Sequence, residues 1–341
     1  MILILLYHKL MKYPSSDLWW KTFDLQLSIL KKTYRVLSLE EALEYLHRGV
    51  MPDRKCVVIT FDDGYADNYV YAYPLLKKHG LRATLFVATS RIQPTESKRK
   101  TLLDYWEGRV SFRELFSGDN MFMANKKFVE DGQKEQFLTV GELRAMRDVF
   151  EFGWHSVSHV KTFSEERLLG FFTGKGHWSL ALSYGEKPRK GFPLFPLSSN
   201  LVTREGRLKR EVKEMIKSLP EKFFQRRDWE SLLRRELYSH FSSLIEWEEE
   251  ESFERRKVHE VEKAIEDLSG WLDTVISVGA YPFGEYNQQL VALCKKYLKA
   301  ALTTEKAYVK EDTDMYRIPR VTVPRDMWSF MGILIKFLRA P

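Results

Sequence analysis

Short runs of β-branched and apolar residues recur along the chain at Ile2–Tyr7, Cys56–Phe61, Thr84–Ala88, Val149–Trp154, Val275–Tyr281 and Ala300–Thr304. Each is bounded by Gly, Pro, Asp or charged residues, the pattern of strands buried on both faces. Helical periodicity fills gaps between them. Asp67–His79 places Tyr69, Val70, Tyr73, Leu75 and Leu76 on one side and stops at Gly80; Asn287–Lys296 does the same with Leu290, Val291, Leu293 and Cys294. Strand, helix and strand at this spacing predict β/α units, and six or more strands predict a barrel or a doubly wound sheet.

Two long stretches interrupt the alternation, Ile92–Leu138 and Glu165–Leu272, the second dominated by charged helical pattern from Arg204 to Asp267. We read them as insertions, about 92–138 and about 165–272, in one domain covering 1–341, because strand-like signals resume at Val275. A separate helical subdomain from about Ser164 to Asp273 is the other reading. The acidic run Glu246–Glu251 before Arg255-Arg256-Lys257 suggests a junction between helices.

The 341 residues carry 44% hydrophobic and 30% charged positions, which excludes a disordered chain and a membrane bundle. The opening apolar run Met1–Leu6 is too short to span a bilayer and lacks the features of a secretory leader, so a cytoplasmic protein is expected. Two cysteines, Cys56 and Cys294, make neither a disulfide framework nor a zinc cage and are expected as buried thiols. The net charge of +7 is uneven: Lys187–Arg235 holds 14 Lys/Arg against 6 Asp/Glu. Such a patch suits an anionic partner or a solvated helical face. Beside it, Phe171, Phe172, Trp178 and Phe192–Leu197 would suit peripheral docking on an anionic membrane if exposed, or internal packing if not. Met327–Leu338 offers the same two readings. No nucleic-acid motif accompanies the basic patch, and no nucleic-acid partner is expected.

Candidate chemistry sits at strand ends. Thr60-Phe61-Asp62-Asp63-Gly64 closes one strand, and adjacent carboxylates there point in different directions, so one can bind a cation while the other serves as a base. His155-Ser-Val-Ser-His159 closes another, its histidines at i and i+4 sharing a face if the turn is helical. Asp63, His155 and His159 together form the donor set of a catalytic divalent metal. Zinc is the first choice; iron, cobalt, nickel or manganese are alternatives.

These two motifs resemble the polysaccharide deacetylase family, the carbohydrate esterase 4 or NodB-homology group. Leu6-Tyr7-His8 resembles the first strand of its poly-N-acetylglucosamine deacetylase-like branch, and Ala83–Val87 the strand after the Asp pair. Gly279-Ala-Tyr-Pro-Phe-Gly284 resembles the third motif; Ala301–Thr304 with Ile318–Val321 resembles the closing strands. The likeness covers roughly 1–90, 139–163 and 275–325. It implies an α/β fold, a distorted incomplete (β/α)7 barrel with a large, mostly helical insertion. It also implies a hydrolase that removes an N-acyl group, N-acetyl above all, from an amino sugar in a polysaccharide or a lipid-linked glycan precursor. Under it Asp63, His155 and His159 hold the metal, Asp62 is the general base and the Tyr281 backbone N–H helps hold the oxyanion. The family's Arg before the third-motif Pro is missing, and Arg320 is a candidate for its place. The late Leu-x-His motif is missing too, which leaves His8 as a candidate acid. Other open readings are a different amide substrate (a formamide or a cyclic ureide) and a catalytically degenerate glycan- or lipid-binding module.

Overall fold

The computed structural model describes residues 1–340. The chain falls into two compact units: Met1–Ala124 with Gln133–His159 and His259–Pro341, and Asn125–Gly132 with Val160–Val258.

The first unit is built on eight strands, β1 (Ile2–Tyr7), β2 (Arg35–Leu37), β3 (Cys56–Asp63), β4 (Ala83–Val87), β5 (Phe150–Trp154), β6 (Val278–Ala280), β7 (Ala300–Leu302) and β8 (Val321–Thr322). All pairings between them are parallel, in the order β7-β6-β5-β4-β3-β1-β8. β1 covers Cys56–Phe61 along one edge of β3. β2 and β4 therefore share the other edge, β2 opposite Cys56–Val58 and β4 opposite Thr60–Asp63. The sheet curls into a half-barrel, and the segment before β8 draws its two ends together: Ile318 bridges to Leu302 of β7, and Val321 pairs with Leu5 of β1.

Both faces of these strands are buried, which explains the unbroken apolar runs in the sequence. Ile2, Ile4, Cys56 and Val58 join Phe86 and Leu302 in the core inside the curl, where the helix Leu39–His47 adds Leu39, Ala42 and Leu46. Alternate residues face outward, so the rings of Tyr7 and Phe61 meet Phe23 of the helix Trp20–Thr33. Gly153 is required here: a Cβ at that position would lie 2.5 Å from the Phe86 ring. Cys56 and Cys294 are buried free thiols, as expected. The expected stop at Gly80 is a left-handed C-cap with φ 64°.

The second unit contains the helices Arg210–Ser218 and Trp229–His240 expected from the charged pattern, together with a short helix Leu180–Tyr184 and a four-stranded antiparallel sheet that the pattern did not announce. Its strands are three residues each (Lys161–Phe163, Leu197–Ser199, Gly206–Leu208, Ile245–Trp247), too short for alternation to register. Glu246 accordingly lies in a strand that leads into the helix Glu250–Leu272, not between two helices. Phe171, Phe192 and Phe195 are buried in this unit's core and supply no docking surface.

Candidate active site

Register brings the site together. Asp63 of β3, Val87 of β4 and Trp154 of β5 stand level across three strands, so the Asp pair and His155 emerge at the same C-terminal rim. This is the rim where barrel enzymes carry their chemistry. Gly64 takes φ 84° and Asp63 itself φ 78°, a sharp exit that turns the second carboxylate away from the strand's alternation.

The two histidines are not on a helical turn. His155 directly follows β5, and the loop from Ser156 to His159 bends back through left-handed conformations at Ser156 (φ 68°) and His159 (φ 47°). Fixed partners stabilise the bend. The Ser156 hydroxyl accepts from His159 N–H at 3.0 Å, and Glu260 accepts from the N–H groups of Val157 and Ser158 at 2.8 and 2.9 Å. Thr89 and Ser90, just past β4, donate their N–H groups to the carbonyls of Ser156 and Val157.

One oxygen of Asp63 lies 3.6 Å from His155 Nε2 and 3.3 Å from His159 Nε2. The three donor atoms all fall within 4.8 Å of one another and are buried. His155 donates Nδ1–H to the Ala280 carbonyl at 2.8 Å, which leaves the Nε2 lone pair turned toward Asp63. The Asp63 oxygen between the two rings is buried without a hydrogen-bond partner. A cation among these donors would satisfy that oxygen, so the residues present fit a divalent metal.

Electrostatics keep the set deprotonated. Burial pushes Asp63 upward, but His159 and the permanent charge of Arg91 outweigh it and hold the carboxyl well below the usual carboxylate range. Burial pushes His155 and His159 down, against the pull of the neighbouring carboxylates, so both rings are neutral at neutral pH.

Asp62 is held by a different partner. Arg320 grips it with both guanidinium arms at 2.7 and 2.8 Å, donates Nε–H to the Thr303 carbonyl at 3.0 Å, and rests 5.2 Å from the centroid of the Phe86 ring. The segment that leads into β8 thus brings Arg320 to Asp62. Asp62 Oδ2 is 3.6 Å from His155 Nε2, which sets the two carboxylates on either side of that ring nitrogen.

His8 follows β1 and is partly exposed, with Asn68 donating to its carbonyl at 2.8 Å and its ring close enough to act on the charge of Asp63. Asp67 stands at the start of the following helix, but its side chain makes no capping bond there. It is buried and accepts from Lys9 Nζ at 2.5 Å and Leu10 N–H at 2.6 Å, clamping the loop behind His8. Trp154 is wholly buried, its indole N–H donated to the Glu260 carbonyl, and forms wall rather than substrate surface.

The Tyr281 assignment needs correction. Its N–H donates to the Leu302 carbonyl at 3.0 Å as part of the β6–β7 ladder, so it is committed before any oxyanion forms. The residue of that loop which faces the histidines is Phe283, at φ 59°, with its ring 4.3 Å from the His159 ring.

Sequence reasoning also missed Arg91 and Glu260. Arg91, fully buried, donates to the His159 carbonyl at 3.0 Å, sets Nη2 3.2 Å from His159 Nδ1, and lies 3.6 Å from Asp63. Its position just beyond the C-terminal end of a barrel strand was the available signal. Glu260 lies more than 100 residues from the loop it holds and gave none.

Residues 49–168 match the polysaccharide deacetylase family model, a span that contains Asp62, Asp63, His155 and His159. The chain is 44% identical over 85 residues to YxkH of Bacillus subtilis, a protein named for the polysaccharide deacetylases, covering 25% of this chain and 30% of that one. It is 26% identical over 138 residues to a poly-beta-1,6-N-acetyl-D-glucosamine N-deacetylase of Staphylococcus epidermidis, covering 40% of this chain and 44% of the relative. The matches thus span less than half the length of either relative. The fold is similar to that of a de-N-acetylase from Aggregatibacter actinomycetemcomitans, with TM-score 0.59 at 14% identity over 97% of this chain and 98% of the other. A matched family model, ordered motifs that meet at one rim and a shared half-barrel agree: residues 49–168 match a polysaccharide deacetylase domain, and the fold around them is NodB-like.

Proposed function

We propose that this protein is a metal-dependent N-deacetylase that hydrolyses the N-acetyl group of an amino sugar within a glycan or a lipid-linked glycan precursor. The observation that carries the reading is the pairing of a buried Asp63/His155/His159 set with a second carboxylate, Asp62, locked beside it by Arg320.

Asp63, His155 and His159 would hold the ion, zinc by the chemistry of one carboxylate and two imidazoles. When bound, the ion supplies Lewis acidity toward the amide carbonyl and the attacking water. The rest falls to the chain. Asp62 removes a proton from that water at a carboxylate oxygen, and the Arg320 fork keeps the oxygen aimed. His8 would return a proton to the leaving amine, with Lys9–Asp67 and Asn68 bonding to its loop. The products are a free amine on the sugar and acetate.

The test is acetate release from β-linked N-acetylglucosamine oligomers and from nucleotide- or lipid-linked N-acetylhexosamines, with and without chelator. Release that chelator abolishes and zinc restores supports the proposal. Release insensitive to chelator removes the metal from it. Activity confined to formamides or cyclic ureides, or to no amide at all, replaces it with one of the other readings.

A further inference from the structure

The C-terminal helix Met327–Arg339 is mounted firmly by one face. Phe330, Leu334 and Phe337 are buried, the Tyr34 hydroxyl donates to the Leu334 carbonyl at 3.1 Å, and Lys55 caps the carbonyls of Phe337 and Leu338 at 2.8 Å each. The opposite face is apolar and uncovered. Trp328 is 89% exposed, Leu338 50% and Ile335 42%, with Met331 half-buried between them. These positions stand at i, i+3, i+7 and i+10, so they form one stripe along the helix. Lys336 and Arg339 flank it, and the helix contains no acidic residue; Asp326, just before it, is engaged as the N-cap of Ser329.

Water is a poor solvent for such a stripe, and an indole with cationic neighbours is best placed at the boundary between lipid headgroups and acyl chains. At 13 residues the helix is too short to cross a bilayer, and no helix among the described residues is long and apolar enough to do so. Pairing in parallel with a second copy would bring the stripe against itself and set Lys336 and Arg339 near their own counterparts. Anionic headgroups remove that conflict. We propose that this helix docks the protein on an anionic membrane surface, lying in the plane of the interface with Trp328, Ile335 and Leu338 inserted. The proposal is independent of amide hydrolysis.

Cosedimentation of the full chain with phosphatidylcholine vesicles, with or without phosphatidylglycerol, tests it. Binding is expected to the phosphatidylglycerol vesicles and only weakly to the neutral ones. The combined Trp328→Ser, Ile335→Ser, Leu338→Ser variant should lose roughly tenfold or more of its vesicle affinity with its circular dichroism unchanged. Lys336→Glu with Arg339→Glu, which leaves the apolar face intact, should abolish the preference for anionic vesicles and so gives a second reading if the triple variant fails to fold. Absence of vesicle binding, or binding that both variants retain, overturns the proposal. A dimer in sedimentation velocity that the triple variant dissolves, without vesicle binding, would assign the face to a second copy instead.

Discussion

Two adjacent aspartates do different work because the backbone separates them. Asp62 keeps the alternation of β3 and meets Arg320, whereas Asp63 leaves it at φ 78° and turns to the histidines. Replacing Asp62 by Asn should therefore lower kcat by about 10²–10⁴-fold while zinc affinity, measured by isothermal titration, stays within a few-fold of the parent. Arg320→Met should act through stability as well as rate. It strands a buried carboxylate, and a loss of about 3–5 kcal/mol in urea unfolding is expected. Arg91 pulls the other way. An arginine can only donate, so its approach to His159 Nδ1 and its charge beside Asp63 oppose a second cation. Removing that charge by Arg91→Gln should tighten zinc binding about tenfold, read by competition with a chromogenic chelator.

At the scale of elements, the site is made of strand ends, and its precision depends on how closely the strands approach. Gly153 is the tightest point, with the Phe86 ring and the Val278 carbonyl on either side. Gly153→Ala should cost about 1–3 kcal/mol by overpacking and displace the β5 exit that carries His155. Much of this was legible beforehand. The β1 run was located to the residue, and the runs at β3, β4, β5 and β7 were placed within two, because strands buried on both faces cannot hide their composition. The shape of the histidine loop was not legible: i and i+4 spacing fits a helical turn or another tight reversal, and the Ser156 and Glu260 hydrogen bonds hold this one.

For the whole molecule, the metal set links stability to pH and to ligand. In the folded chain burial keeps His155 and His159 neutral, whereas in the unfolded chain each takes a proton below about pH 6.5. The unfolded state then binds more protons, so the metal-free protein should lose stability as pH falls through that value. Thermal melts in chelator at stepped pH would show the slope, and His159→Asn should flatten part of it. Zinc at a hundred times its dissociation constant should add about 2.7 kcal/mol. A melt that zinc leaves unmoved would argue against the site.

The sequence by itself located most strands of the half-barrel, though not β2, and singled out Asp62, Asp63, His155 and His159, because buried strands and candidate metal donors are recognisable one residue type at a time. It offered Arg320 only as a candidate for the missing arginine, put the oxyanion on an N–H that belongs to a strand ladder, and could not say whether the aromatic residues of the second unit or those of the last helix face water. Those are questions of which partner a group finds and which side of an element is covered. Residues more than 100 positions apart settle them when the chain closes, as Asp62 and Arg320 do, and no local pattern carries that information.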